Sequence, residues 1–209
     1  MLASDQVPSG RHPASVRTAL AFLAAALVGM GAGALTFGLE RLDDAPPWTD
    51  FWRGLAPWGV VAVLVGASFP GRWRAAAVAG AITQLGLVAG YYTIESVSLG
   101  TVSGELLKYT VVGVVAGPLY GSSGAALRGR RRAVRTVASG IVAAPWLTDG
   151  SRTFLDDVTD SGSALAVATG VLLIGAVLPF ALNHTLGTRL AGLVAAVLTA
   201  WLLFTMPVT

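Results

Sequence analysis

Three aspartates in the second half of the chain have the spacing of a magnesium site. Asp156, Asp157 and Asp160 form the pattern DDxxD. On a helix, Asp156 and Asp160 share one face, because residues four positions apart are neighbours. Carboxylate oxygens are the ligands that a hard cation such as Mg²⁺ prefers. A metal site is therefore one interpretation of this segment, and an acidic, solvated outer loop is the interpretation that the sequence favours.

A second group of polar residues lies within or beside apolar segments between positions 84 and 108. A cation such as Lys108 is costly in an apolar stretch and marks a functional site by default, although Glu105 is a simple partner one turn away. Gln84 lies deeper, where an interhelical hydrogen bond is the simpler explanation. With the neighbouring rings and acids these residues form a candidate ligand site: Gln84, Tyr91, Tyr92, Glu95, Glu105 and Lys108.

The motifs of common soluble active sites are missing from the sequence. It contains no GxxxxGK[ST] phosphate loop, no GxSxG elbow and no HExxH zinc pair. The chain has no cysteine and only two histidines, which excludes thiolate chemistry and a histidine-rich metal cage. We therefore expect no cofactor, except Mg²⁺ if the DDxxD segment is an enzyme site.

The composition indicates a membrane protein. The chain is 54% hydrophobic and 12% charged, with a mean hydropathy of +0.69, whereas soluble domains carry roughly 25% charged residues. About 20 apolar residues in a helix cross the hydrocarbon core. We predict an all-α, polytopic transmembrane bundle of about seven helices. The predicted segments are 18–39, 54–71, 75–94, 105–127, 133–148, 163–183 and 190–208.

The fifth segment decides the helix count. Sixteen helical residues from Ala133 to Thr148 reach only about 24 Å. If this segment only dips into the membrane, six helices cross and the last two point the other way. The DDxxD segment would then be cytoplasmic rather than outside.

Loop charges predict the orientation. With seven crossings and a cytoplasmic amino terminus, ten arginines lie inside and three outside, as the positive-inside rule requires. All acids except Asp5 then lie outside. We predict a plasma-membrane protein with a cytoplasmic tail (residues 1–17) and one membrane domain (residues 18–209). The net charge of +3 reflects this orientation and not binding to nucleic acid, and the arginines at 128–135 suit anionic lipid.

Glycines at four-residue spacing predict helix packing. Gly113, Gly117 and Gly121 place a flat strip along one face of the fourth segment, against which another backbone fits closely. Packing within the bundle is the favoured use of this strip, and a homo-oligomer or another membrane protein is the alternative partner. The lipid bilayer is the remaining expected partner.

The chain resembles a family of small polytopic membrane proteins from high-GC Gram-positive bacteria that is known only as a domain of unknown function. The residues that carry the resemblance are Ala56-Pro57-Trp58, the stretch from Gly80-Ala81 to Gly90-Tyr91-Tyr92-Thr93, and the glycine-rich fourth segment up to Gly124. The resemblance implies an inner-membrane location and no catalytic residues. A weaker similarity is to the substrate-binding membrane subunits of vitamin importers, which have six helices.

Small-molecule binding or transport from the outer face is the function that these observations favour. A membrane-embedded enzyme acting on prenyl diphosphates, of the terpene cyclase or prenyltransferase type, is the alternative, because such enzymes hold Mg²⁺ with DDxxD. An accessory or structural subunit of another membrane protein is the third hypothesis.

Overall fold

A computed structural model describes residues 14–42, 52, 54–157 and 162–205, and within these ranges the chain is helical, without strands. Every element is therefore of the all-α class expected from the sequence. The helices are α1 (Ala14–Leu39), α2 (Leu55–Ala67), α3 (Trp73–Leu99), α4 (Leu106–Leu127), α5 (Arg132–Asp157), α6 (Gly162–Leu182) and α7 (Leu186–Thr205).

Five of these helices, namely α1, α3, α4, α6 and α7, are long and apolar enough to cross a membrane. The chain is thus a protein with several potential membrane spans. Helix α2 is apolar, but its 13 residues extend only about 20 Å. Helix α5 is long enough, at 26 residues or about 39 Å, but it carries charged residues along its length.

The fifth helix corrects one sequence-based expectation. The predicted segment ended at Thr148, because Asp149 and Arg152 looked like residues of an outer loop. In the structure the helix continues past both and ends at Asp157. The two charged side chains have partners on neighbouring helices, which lets the helix continue through them.

At one end of the bundle, which we call the arginine end, the odd-numbered helices begin and the even-numbered helices end. Arg72, just before α3, donates to the Thr18 hydroxyl of α1 over 3.4 Å. Arg128, just after α4, donates to the Ala67 carbonyl at the end of α2 over 3.2 Å. Thr136, in the second turn of α5, donates to Asn183, which follows α6. Helices adjacent in sequence therefore run antiparallel.

The opposite end, the acidic end, is identified by contacts between the other helix termini. Tyr91, late in α3, donates to Glu40, which follows α1, over 2.7 Å. Asp149, late in α5, accepts from the amide of Ala56 at the start of α2. Helix α5 thus extends from the arginine end to the acidic end.

The first four helices form the amino-terminal half, in which glycines let backbones touch. A Cβ atom on Gly33 of α1 would overlap the carbonyl oxygen of Leu87 in α3. In α4, Cβ atoms on Gly117 and Gly121 would overlap the backbone of α3, whereas one on Gly113 would make ordinary contact with the Gln84 side chain. Small residues permit the close approach that helix packing in a membrane requires.

The last three helices form the carboxy-terminal half, which is joined by a buried polar network. The side-chain amide of Asn183 donates to Ser139 Oγ over 2.8 Å and to the Pro179 carbonyl over 2.9 Å. Its oxygen accepts from Thr136 over 3.2 Å. All three polar side chains are buried, and each has a partner, as a buried polar group requires.

Two glycines on α1 test the close packing of α1 on α3. Gly33→Ala is expected to lower the free energy of unfolding by about 1–3 kcal/mol, because the new methyl group overlaps backbone that cannot move alone. Gly31→Ala is the control, since nothing lies within 4 Å of its Cβ position, and it should be neutral or stabilising by up to about 1 kcal/mol. Unfolding in SDS titrations measures both, and equal effects would contradict this packing.

Candidate functional site

A cavity of about 50 Å³ lies where the two halves of the bundle meet, and we call it the junction cavity. Its walls come from α2, α3 and α4 of the amino-terminal half and from α7 of the carboxy-terminal half. Clefts between bundle helices are a common place for ligand sites. The lining residues are Leu55, Trp58, Gly59, Gln84, Tyr109, Val112, Ala116, Tyr120 and Leu203.

Polar groups of α2 and α3 meet at the junction cavity. The Gln84 side-chain amide donates to the Trp58 carbonyl over 2.6 Å, so the expected interhelical hydrogen bond of Gln84 exists and joins α3 to α2. The indole N–H of Trp58 is buried and has no acceptor among the described residues. A buried donor without an acceptor costs free energy, so a ligand or water that supplied one would bind favourably.

Aromatic rings surround Trp58 on the side of the acidic end, and we call them the aromatic cluster: Phe37, Trp58, Tyr91, Tyr92 and Tyr109. The centroid of the Trp58 ring lies 5.5 Å from that of Tyr109 and 6.1 Å from that of Tyr91. Tyr91 also contacts Tyr92 at 5.2 Å and Phe37 at 5.3 Å. These separations are typical of favourable aromatic pairs, so the rings form one continuous contact that includes Trp58 and Tyr109 of the cavity lining.

The predicted acids and lysine have partners of their own at the acidic end. Glu95 is buried and accepts from the amide of Ser103 over 3.1 Å, which holds the loop between α3 and α4. The Nζ atom of Lys108 lies 2.8 Å from the Oε2 atom of Glu105, and the two side chains are 26% and 49% exposed, respectively. The structure therefore does not gather the six predicted ligand residues around one cavity. Gln84 lines the cavity, and Tyr91 and Tyr92 belong to the aromatic cluster.

Asp149 of α5 caps the start of α2. Its Oδ2 atom accepts from the Ala56 amide over 2.7 Å, and the Leu55 amide donates to the same carboxylate. Gly54, the residue before α2, has no side chain to cap these amides itself. A carboxylate at a helix amino terminus satisfies free N–H groups and interacts favourably with the helix dipole.

Arg152, one turn after Asp149, binds the end of α7. Its Nη2 atom donates to the Leu203 carbonyl over 3.3 Å. Leu55 and Leu203 both line the junction cavity. Asp149 and Arg152 therefore each bind the backbone of a helix that contributes to the cavity wall, α2 and α7 respectively, and we call the two residues the α5 clamp.

Sequence reasoning missed Tyr109, Tyr120 and the α5 clamp. The spacing of Asp149 could have indicated that it faces the other half of the bundle. It lies seven residues after Val142 and therefore on the same helical face. Val142 packs against Ala62 and Val63 of α2 and against Tyr120 of α4.

The DDxxD segment lies largely outside the described part of the chain. The structure describes the backbone of Asp156 and Asp157, which end α5, but not their side chains, and it does not describe Asp160. Among the side chains that it does describe, no group of three histidines, aspartates or glutamates is placed to hold a metal ion.

These features define a multi-helix membrane protein whose two halves meet at a small cavity. The chain belongs to the family of unknown function DUF6518, which matches residues 12–208. This agrees with the resemblance to a domain of unknown function. No curated protein and no solved structure matches the chain significantly.

The cap on α2 makes a testable prediction. Asp149→Ala is expected to lower the free energy of unfolding by about 2 kcal/mol, because the amides of Leu55 and Ala56 lose their acceptor inside the bundle. Asp149→Asn keeps one acceptor oxygen and should lose about half as much. Hydrogen exchange in the first turn of α2 should rise with the loss of stability, and unchanged exchange there would contradict the cap.

Proposed function

We propose that this protein spans the bacterial plasma membrane several times, with its amino terminus in the cytoplasm, and binds a small uncharged molecule in the junction cavity. The observation that carries the proposal is the cavity between the two half-bundles, which Trp58 lines. The indole N–H of this residue is buried and has no acceptor among the described residues. The acidic end is then the outer face, from which the ligand enters.

The lining of the cavity favours an uncharged ligand with an aromatic or aliphatic part. None of the lining residues carries a charge. A charged ligand would lose its hydration here without gaining a counter-ion, which is costly. Hydrogen-bonding groups come from Trp58, Gln84, Tyr109 and Tyr120. A ligand with one hydrogen-bond acceptor and a flat ring therefore matches the site.

The size of the cavity implies that its walls move. A volume of about 50 Å³ has room for three or four water-sized groups, whereas a cavity that holds benzene is about 150 Å³. A larger ligand fits only if α2 and α7 separate. The α5 clamp holds these two walls, and its hydrogen bonds must loosen or shift as the ligand enters.

The predicted residues at the acidic end fit a role on the entry route. Tyr91 contacts the lining residue Trp58 and also Tyr92, and the Lys108 ammonium lies 5.6 Å from the centroid of the Tyr109 ring. Glu95 and Glu105 lie on either side of the loop between α3 and α4. Direct contact of the ligand with these acids or with Lys108 remains a prediction from the sequence, which the experiment on ligand binding tests.

The prenyl-diphosphate enzyme has less support. It needs Asp156, Asp157 and Asp160 on the cytoplasmic side, where prenyl diphosphates are made. Helix α5 begins with Arg132 and Arg135 at one end and finishes with Asp156 and Asp157 at the other. The positive-inside rule assigns the arginine end to the cytoplasm, which leaves the acidic motif outside.

Accessibility of single cysteines tests the topology, because the native chain has no cysteine. Thr101→Cys, in the exposed loop between α3 and α4, should react with a membrane-impermeant thiol reagent in intact cells. Arg130→Cys and His184→Cys, both exposed at the arginine end, should react only after permeabilisation. If α5 does not cross, His184→Cys reacts in intact cells while Arg130→Cys stays protected, and that pattern would contradict the proposed seven crossings.

Thermal stabilisation by small fragments tests the binding site. Uncharged aromatic fragments of up to about ten heavy atoms should raise the melting temperature of the purified protein. Trp58→Phe should weaken the binding of the stabilising fragments about five- to tenfold, because one hydrogen bond is worth about 1 kcal/mol. Gln84→Leu should weaken binding to a similar degree.

Lys108→Met is the matched control for the cavity. It removes a charge at the acidic end from a residue that does not itself line the cavity, so fragment affinity should stay within about twofold of the parent. A loss with Lys108→Met but not with Trp58→Phe would move the site to the acidic end. Absence of any stabilising fragment would favour the accessory-subunit hypothesis, which predicts co-purification with another membrane protein.

A further inference from the structure

We infer that the arginine end holds a binding site for the headgroup of an anionic phospholipid, at the start of α5 on the face turned towards α2 and α4. This site is separate from the junction cavity and does not depend on the function proposed for that cavity. Arg135 is its central residue. No described carboxylate side chain lies at this end, because Glu40, Glu95, Glu105 and Asp149 are all at the acidic end.

The position of Arg135 follows from helix geometry. It precedes Val142 by seven residues and Asp149 by fourteen, so all three lie on one face of α5. Val142 packs against α2 and α4 through Ala62, Val63 and Tyr120. Arg135 is therefore on the face turned towards α2 and α4, two turns nearer the arginine end.

The Nε atom of the Arg135 guanidinium lacks a hydrogen-bond partner within the described residues. This atom is buried. Arg128 nearby differs, because it already donates to the Ala67 carbonyl over 3.2 Å. Arg135 as a whole is only partly buried. A buried donor without an acceptor is costly, and a phosphate oxygen is the partner that a guanidinium fork matches best.

The surroundings favour a lipid phosphate over a free one. Val134 and Val137, on either side of Arg135 in sequence, are 48% and 54% exposed and offer apolar contact to acyl chains. The neighbouring Arg130, Arg131 and Arg132 are exposed and attract anionic headgroups over zwitterionic ones. The amino terminus of α5 adds the positive end of a helix dipole.

Lipid titrations of the purified full chain in neutral detergent test the site. Phosphatidylglycerol should raise the melting temperature and appear as a bound adduct in native mass spectrometry, and phosphatidylcholine should do neither. Arg135→Gln should weaken phosphatidylglycerol binding about tenfold. Arg130→Gln removes the same charge from an exposed position and should weaken binding no more than about threefold.

Two further measurements make the outcome decisive. Arg135→Lys keeps the charge but lacks the planar fork and should still bind several times more weakly, which covers the case in which Arg135→Gln does not fold. Equal losses for Arg130→Gln and Arg135→Gln would show a diffuse charged surface and overturn the site. Inorganic phosphate that stabilises the protein and competes with phosphatidylglycerol at equal concentration would overturn the assignment to lipid.

Discussion

A bilayer offers no water to satisfy backbone amides, and this constraint governs how the two halves of the bundle are joined. Helix α2 extends only about 20 Å, and Ala56 and Pro57 in its first turn are buried. The amides of its first turn need an acceptor, and Gly54 has no side chain to provide one. Asp149 of α5 provides it from the other half. One carboxylate thus caps a short helix and ties α5 to the wall of the junction cavity.

Helix α5 distributes charge along its length in a way that matches its neighbours. Asp149 meets the positive end of the α2 dipole, and Arg152 meets carbonyl oxygen at the negative end of α7. At the arginine end, the Nε atom of Arg135 has no such partner among the described residues. At one end of α5 the charged side chains of Asp149 and Arg152 have hydrogen-bond partners within the protein. At the other end an external anion would supply a partner for Arg135, and this difference is the physical basis for the lipid site.

Packing differs between the halves and the junction. Within the amino-terminal half, glycines bring α1, α3 and α4 into backbone contact. Within the carboxy-terminal half, Asn183 closes a buried network with Thr136 and Ser139. The junction instead contains a cavity, and it is joined by the hydrogen bond from the Ala56 amide to Asp149 and by the buried cluster of Val142 with Ala62, Val63 and Tyr120. Relative motion of the halves at this junction disrupts less packing than motion inside either half, so a ligand that needs space enters most readily here.

The sequence by itself determined the membrane class, the helical fold and the approximate extent of most helices, because hydrophobicity and length are local properties that a bilayer reads directly. It also singled out Gln84 and the glycines of α4. Only the tertiary structure decided that Asp149 and Arg152 lie inside α5, and that Trp58, Tyr109 and Tyr120 share a cavity. In the sequence a charged residue after an apolar run looks like a loop. Whether it can remain in a helix depends on a partner such as the amide of Ala56, which is 93 residues away in sequence and adjacent only in the folded chain.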